Sequence, residues 1–264
     1  MGNATPRRYV FYAEANYLTA QVDGNTPHII PEQGFQRLPV YGGTLNGANT
    51  GFNEAGLISI KNGYANLTGA ANPAGWSTTV EVVVQNLNIA NQITADEVIA
   101  KITTEYPKVG NVPSISFQGT HFVNLKVGGK LVNPVLNLNL CGPKPAGDVP
   151  WINDAAFLLK AQTEFSAIAT SGAPAEIAGA YAGWNFATVQ ARGKVDCSLV
   201  TGVNGLPGQS FGHVIVIPGF GNLYLAELAV GTHVELTMLR VDVTSQGKTQ
   251  LRTVTADSQG HGMP

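Results

Sequence analysis

Apolar and polar residues alternate along most of this chain, the period of β-strands with one buried face. Residues 8–22 are rich in aromatic and β-branched side chains and run into Asp23-Gly24, which predicts a strand closed by a tight turn. Residues 57–60 and 64–68 read as two strands joined at Asn62-Gly63, a dipeptide that favours the positive φ of hairpin turns. Residues 78–89 hold a continuous apolar centre, as a well-buried strand does. A second hairpin is predicted around Gly128-Gly129, and residues 135–140 alternate strictly, asparagines outward and leucines inward. Four runs near the end, 213–217, 222–228, 233–244 and 249–255, predict a meander broken by glycines.

Two segments depart from this period. Thr94-Ala-Asp-Glu97 fits a helical capping box, with Val98, Ile99, Ile102 and Tyr106 on one helical face. Residues 94–106 also alternate as a strand with a charged outer face would, and periodicity does not decide between the two. Asp154 is a good helix N-cap, and the apolar spacing after it predicts a helix over 154–168, with a short helical turn over 174–182. The expected fold is therefore mainly β: an antiparallel β sandwich or barrel-like domain with one helical insertion near residues 152–182. Residues 1–264 form one domain, with a loose polar tail from about 258 to 264.

Composition narrows the partners. Charged residues make up only 12% of the chain and hydrophobic residues 44%, so Asn, Gln, Ser, Thr and Gly must build much of the surface. That favours an extracellular or cell-surface setting, where uncharged polar groups meet glycans or neighbouring copies. The first residues carry no apolar secretory leader, which leaves the compartment open. Net charge is −2 without a Lys/Arg cluster, so nucleic acid is not an expected partner. The longest apolar stretch, 214–230, is interrupted by Pro218, Gly219, Gly221, Asn222 and Glu227, so no membrane-spanning helix is expected. Cys141 and Cys197 lack CxxC spacing and read as two buried thiols, with a disulfide as the alternative.

Candidate chemistry is sparse. His121 and His213 stand at strand starts and, with Glu227, would form a ligand site if the fold brought them together. Zinc needs three or four converging ligands, so hydrogen-bonded structural histidines are the plainer reading, and no metal or cofactor is expected. Ser210, within Gly208-Gln-Ser-Phe-Gly212, is not read as a nucleophile. A glycosidase needs two carboxylates across a cleft; Glu81, Glu97, Asp196, Glu227 and Glu235 are available, and nothing selects a pair. Trp76, Trp151 and Trp184 would stack on sugar rings if exposed.

Several stretches carry a family resemblance. Gly119-Thr-His-Phe-Val-Asn-Leu-Lys-Val-Gly-Gly129, Cys197-Ser-Leu-Val200, the run from Gly212 to Leu228, Leu236-Thr-Met-Leu-Arg-Val241 and Gly260-His-Gly-Met-Pro264 resemble segments of uncharacterised bacterial β proteins. Ile93-Thr-Ala-Asp-Glu-Val-Ile-Ala100 and the hairpin after it resemble the order seen in choice-of-anchor P-type secreted proteins. The resemblance implies a β fold with an inserted helix and a strand over 94–106, and it carries no activity. The function expected is a non-enzymatic structural or interaction protein, self-assembling or surface-associated, whose partner is a second copy or a glycan. A carbohydrate-binding module, a polysaccharide hydrolase and a secreted toxin are the alternatives.

Overall fold

The computed structural model describes residues 8–22, 27–206, 208–243 and 249–263. Seven long strands frame it: β1 Arg8–Val22, β2 Ile58–Asn72, β3 Gly75–Ile89, β4 Ile93–Pro107, β5 Gly221–Val230, β6 Val234–Val243 and β7 Thr249–Met263. Two antiparallel sheets lie face to face and neither closes into a barrel. The first has the order β5-β6-β7-β1, with Val214–Ile217 and Ser210–Phe211 beyond β5 and His28–Gln33 beyond β1. The second has the order β4-β3-β2, flanked by the hairpin Lys126–Val127/Lys130–Leu131 and by Gly43–Asn46.

Alternation predicted the meander of the last third and the strand over residues 8–22 correctly. Residues 94–106 are strand, lying within β4. At Gly128-Gly129 both residues take positive φ, as a tight two-residue hairpin requires. Three expectations fail. Asn62-Gly63 is no turn but the middle of β2, where a Cβ on Gly63 would come within 2.7 Å of the Tyr17 ring from the opposite sheet. Glycine serves there for close approach, not for φ. Residues 258–263, read as a loose tail, continue β7 and pair with β1 from Ser258↔Ala13 to Met263↔Arg8. Residues 135–140 keep strand geometry only through Leu136, in the short strand Asn133–Leu136.

The helical insertion is longer than expected: α1 Ala155–Ala169, α2 Ala175–Ala182 and α3 Phe186–Arg192. Asp154 caps α1 by accepting from the Phe157 N–H at 2.7 Å. Asn185 caps α3 through the Thr188 N–H at 2.9 Å. Phe157, Leu158 and Ala161 of α1 join the main core, while Ile168, Ile177, Tyr181 and Val214 form a small second core between the helices and the first sheet. Cys141 and Cys197 are free, buried thiols, and burial pushes Cys141 up to about 12.

One feature runs through every long strand. Inward residues follow one parity and then switch to the other. In β1 the inward set is Phe11, Ala13, Ala15 and Tyr17, then Leu18 and Ala20; in β6 it is Val234, Leu236 and Met238, then Leu239, Val241 and Val243. β5 switches at Leu225/Ala226 and β7 at Thr253/Val254. In the second sheet the gaps fall between Ile60 and Gly63, Val84 and Leu87, and Ala95 and Val98. Cross-strand register is identical on either side of each switch, so the switches align in one row perpendicular to the strands. Asn86, Ala226 and Val254 sit in that row with φ of 53°, 46° and 57°. Ala226 and Val254 lie on β5 and β7, alternate strands of the first sheet that run in the same direction, and Asn86 lies on β3, the middle strand of the second sheet. One left-handed residue per such strand breaks the pleat and bends each sheet.

The two bends nest. The switch adds an inward row to the first sheet, including Tyr17, and removes one from the second, at Gly63. Tyr17, only 1% exposed, fills that furrow, and its hydroxyl meets Thr50 Oγ1 at 3.0 Å. On the outward faces the effect is reversed. The second sheet gains a ridge of consecutive outward pairs, Lys61-Asn62, Gln85-Asn86 and Asp96-Glu97, and the first sheet gains a gap.

Candidate functional site: a groove across the first sheet

The gap is a groove. Outward side chains on either side of it stand three positions apart rather than two, about 10 Å at the usual strand rise. One bank is the cross-strand row Asn16, Thr255, Thr237 and Glu227; the other is Thr19, Arg252, Arg240 and Tyr224. Two adjoining clefts open here, of about 230 and 360 Å³, sharing Glu235 and Arg252 in their walls. Glu32 and Phe35 close the first at one end; Phe165 and Tyr181 of the helical insertion close the second at the other.

Most charges in the groove are already paired. Arg240 donates through Nε and Nη2 to both oxygens of Glu227, at 2.8 and 2.9 Å, and through Nη1 to Asp242 at 2.5 Å. Its guanidinium lies 3.5 Å above the centre of the Tyr224 ring. Burial opposes its charge, but Glu227 and Asp242 outweigh that and hold it above its ordinary value. Arg192 and Lys194 share Asp196, and Arg252 approaches Glu235 at 3.7 Å.

Beside the Asn16–Glu227 bank, Glu14, Asp257 and Glu235 stand directly opposite one another on β1, β7 and β6. Like charges in cross-strand register repel. Burial first, then Glu235 and Glu14, raise the Asp257 carboxyl to about 7, and its Oδ1 is buried without a hydrogen-bond partner. Arg37 reaches Glu14 at 3.2 Å, and His233 Nδ1 lies 3.8 Å from Asp257.

Of the histidine–glutamate set singled out from sequence, His213 and Glu227 line the same cleft, and His121 lies apart from them. His121 lies on the second sheet, its ring meeting the Gly119 carbonyl at 2.8 Å and Glu97 at 3.3 Å. His213, in the turn between Ser210–Phe211 and Val214–Ile217, is buried under the helices, with Nδ1 2.7 Å from Glu164 and Nε2 2.9 Å from the Tyr181 hydroxyl. Glu227 is taken up by Arg240. The expected histidine–glutamate site is thus split between opposite sheets, and among the described residues no group of three His, Cys, Asp or Glu side chains is placed to hold a metal ion.

The tryptophans are packed rather than presented. Trp76 stacks flat on Tyr9 with ring centres 4.8 Å apart, and Trp151, 3% exposed, donates its indole N–H to the Pro113 carbonyl at 3.0 Å. Trp184 packs against Phe165 and Phe186. Gly208-Gln-Ser-Phe-Gly212 does have Gly-x-Ser-x-Gly spacing, yet it forms a hairpin with Val214–Ile217 instead of a strand-to-helix turn. The Ser210 hydroxyl donates to the Leu206 carbonyl at 3.3 Å. It therefore lacks the setting of an activated nucleophile.

Of the carboxylates named from sequence, Glu227, Glu235 and Asp196 line the groove, while Glu81 and Glu97 lie on the second sheet, where Glu81 pairs with Lys101. Glu14, Asp257, Arg240 and Arg252 escaped notice. Their signal was the doubled inward pairs, such as Met238-Leu239, which mark the switch within a strand. No helix among the described residues is long and apolar enough to cross a membrane. No curated protein and no solved structure matches the chain. A family model does match, over residues 9–231, which leaves all of β6 and β7 beyond it; the chain belongs to the family described as a domain of unknown function, DUF8256.

Proposed function

We propose that this protein is a non-catalytic interaction protein that holds an extended polar partner in the groove of its first sheet. The observation that carries this reading is the aligned row of pleat switches. It costs left-handed backbone at Ala226 and at β-branched Val254, and its outward consequence is a channel across four strands. Groups already paired with opposite charges attract ions weakly, but their fixed N–H groups and lone pairs suit a partner rich in hydroxyls, amides or balanced charges. The test is calorimetric titration of the protein with soluble neutral, uronic and amino-sugar polysaccharides, and with itself by dilution. Thr255→Trp, which fills the groove, should weaken whichever interaction is found by about tenfold or more. Absence of any interaction, self-association included, overturns the reading.

A second reading has its own observation. Asp257 in a cleft beside Glu235 and Glu14 has the ingredients of a glycosidase pair, a carboxyl with a raised pKa and a second carboxyl on an adjacent strand. Release of reducing ends from a polysaccharide, abolished in Asp257→Asn and in Glu235→Gln, would favour it over a binding role.

A further inference from the structure

We infer that the groove of the first sheet receives the outward ridge of the second sheet of another copy, so that the protein stacks head to tail. This rests on the proposal that the groove holds a partner, and it names that partner.

The geometry points to it because the same fit already exists inside the molecule. Within one copy the extra inward row of the first sheet, with Tyr17, enters the furrow of the second sheet at Gly63. Both sheets bend in the same sense, so the outward ridge of the second is the counterpart of the outward groove of the first. A copy laid on the first sheet as its own second sheet lies beneath would set ridge into groove.

The charges agree with that placement. Within one copy β4 lies under β7 and β6, and β2 under β1. In the stack, Asp96 and Glu97 of the β4 ridge would come over Arg252 of β7 and Arg240 of β6. Lys61 of the β2 ridge would come over β1, where Glu14 stands and Glu32 is near. The ridge is held firm for docking: Asn62 donates to Gln85 at 3.2 Å, Gln85 to Glu97 at 2.9 Å and Asn124 to Asp96 at 2.7 Å. Beside it Tyr64 and Ile99 stand half-exposed on the same outward face, on either side of the buried Val83.

Association by sheet edges is less well served. The outermost strands are short: Ser210–Phe211 and His28–Gln33 in the first sheet, Lys130–Leu131 and Gly43–Asn46 in the second. Short edges discourage strand addition. With only 12% charged residues, the broad faces do little to oppose stacking. Groove and ridge are different surfaces, so the contact is heterologous and propagates as an open stack instead of closing as a dimer.

The experiment is light scattering after size exclusion, from micromolar to millimolar protein, on the wild type and on Asp96→Arg, Arg252→Glu and the double variant. Both positions are solvent-accessible, and circular dichroism verifies the fold of each. The wild type should grow in mass with concentration. Each single reversal should weaken association about a hundredfold by setting like charges against each other. The double variant should regain the stack, and an equimolar mixture of the two single variants should regain it too, as an alternating stack in which ridge and groove charges are opposite at every contact. A wild type that stays monomeric throughout, or single reversals that leave the mass unchanged, overturns the inference. A monomer that binds a polysaccharide through a Thr255→Trp-sensitive site overturns it while the groove proposal stands; a monomer that binds nothing overturns both.

Discussion

The two sheets bend at the same level with opposite outward results. In the second, the switch makes a polar ridge knitted by side-chain hydrogen bonds, and charges across neighbouring strands are opposite, as in Glu81–Lys101 at 3.1 Å. In the first, it makes a groove, and the nearby row Glu14–Asp257–Glu235 sets like charges in register. The second sheet resolves its electrostatics internally, whereas the first carries an unresolved cost beside an open channel. Such a cost is what binding and reaction sites retain, and it is the ground on which the groove of the first sheet is proposed as the binding face.

The comparison breaks most easily at the contact where the bends nest. Tyr17→Ala would leave the Gly63 furrow empty and should cost about 3–5 kcal/mol in urea unfolding. Gly63→Ala, which presses a methyl into the Tyr17 ring, should cost about 1–3 kcal/mol. The double variant should cost less than the sum of the two, because the small residue makes room for the new methyl. Additive losses would mean that the two positions do not support one another across the sheets.

The backbone of the bend can be tested without touching the core, since Asn86 is exposed. Asn86→Val should lose about 1–2 kcal/mol by placing a β-branched residue at a φ of 53°, while Asn86→Gly should stay close to wild type. Equal losses for both would point to the side chain instead of the pleat switch.

Electrostatics sharpen the contrast further. Asp257 titrates near 7 in the folded protein and lower when unfolded, so its favourable contribution is complete below the unfolded value and is lost as pH rises through about 7. Wild-type stability should therefore fall between pH 5 and pH 8 by about 1 kcal/mol after allowance for partial exposure, and Asp257→Asn should flatten that slope. An unchanged slope would remove Asp257 as its origin. On the second sheet Lys101→Ala should cost only about 0.2–1 kcal/mol, as exposed cross-strand pairs do. A larger loss there would erase the distinction between the sheets.

Period-two patterning, the Asp154 cap and the Gly128-Gly129 turn were readable because each is local: a strand face, a helix start and a tight turn depend on neighbours within a few positions. Asn62-Gly63 misled for the same reason, since its glycine answers to Tyr17, far off in the chain. The polar residues of 258–263 looked like a tail because nothing local showed that β1 would pair with them. The doubled inward pairs at Tyr17-Leu18, Leu225-Ala226, Met238-Leu239 and Thr253-Val254 are visible one strand at a time.

That sheets carry this fold is written in the chain, because alternation fixes which side of each strand is buried. That the interruptions of that alternation fall in a single row is a property of the folded molecule alone. Register between strands is set by long-range pairing and by packing of one sheet on the other, and it is register that turns separate irregularities into one groove and one ridge.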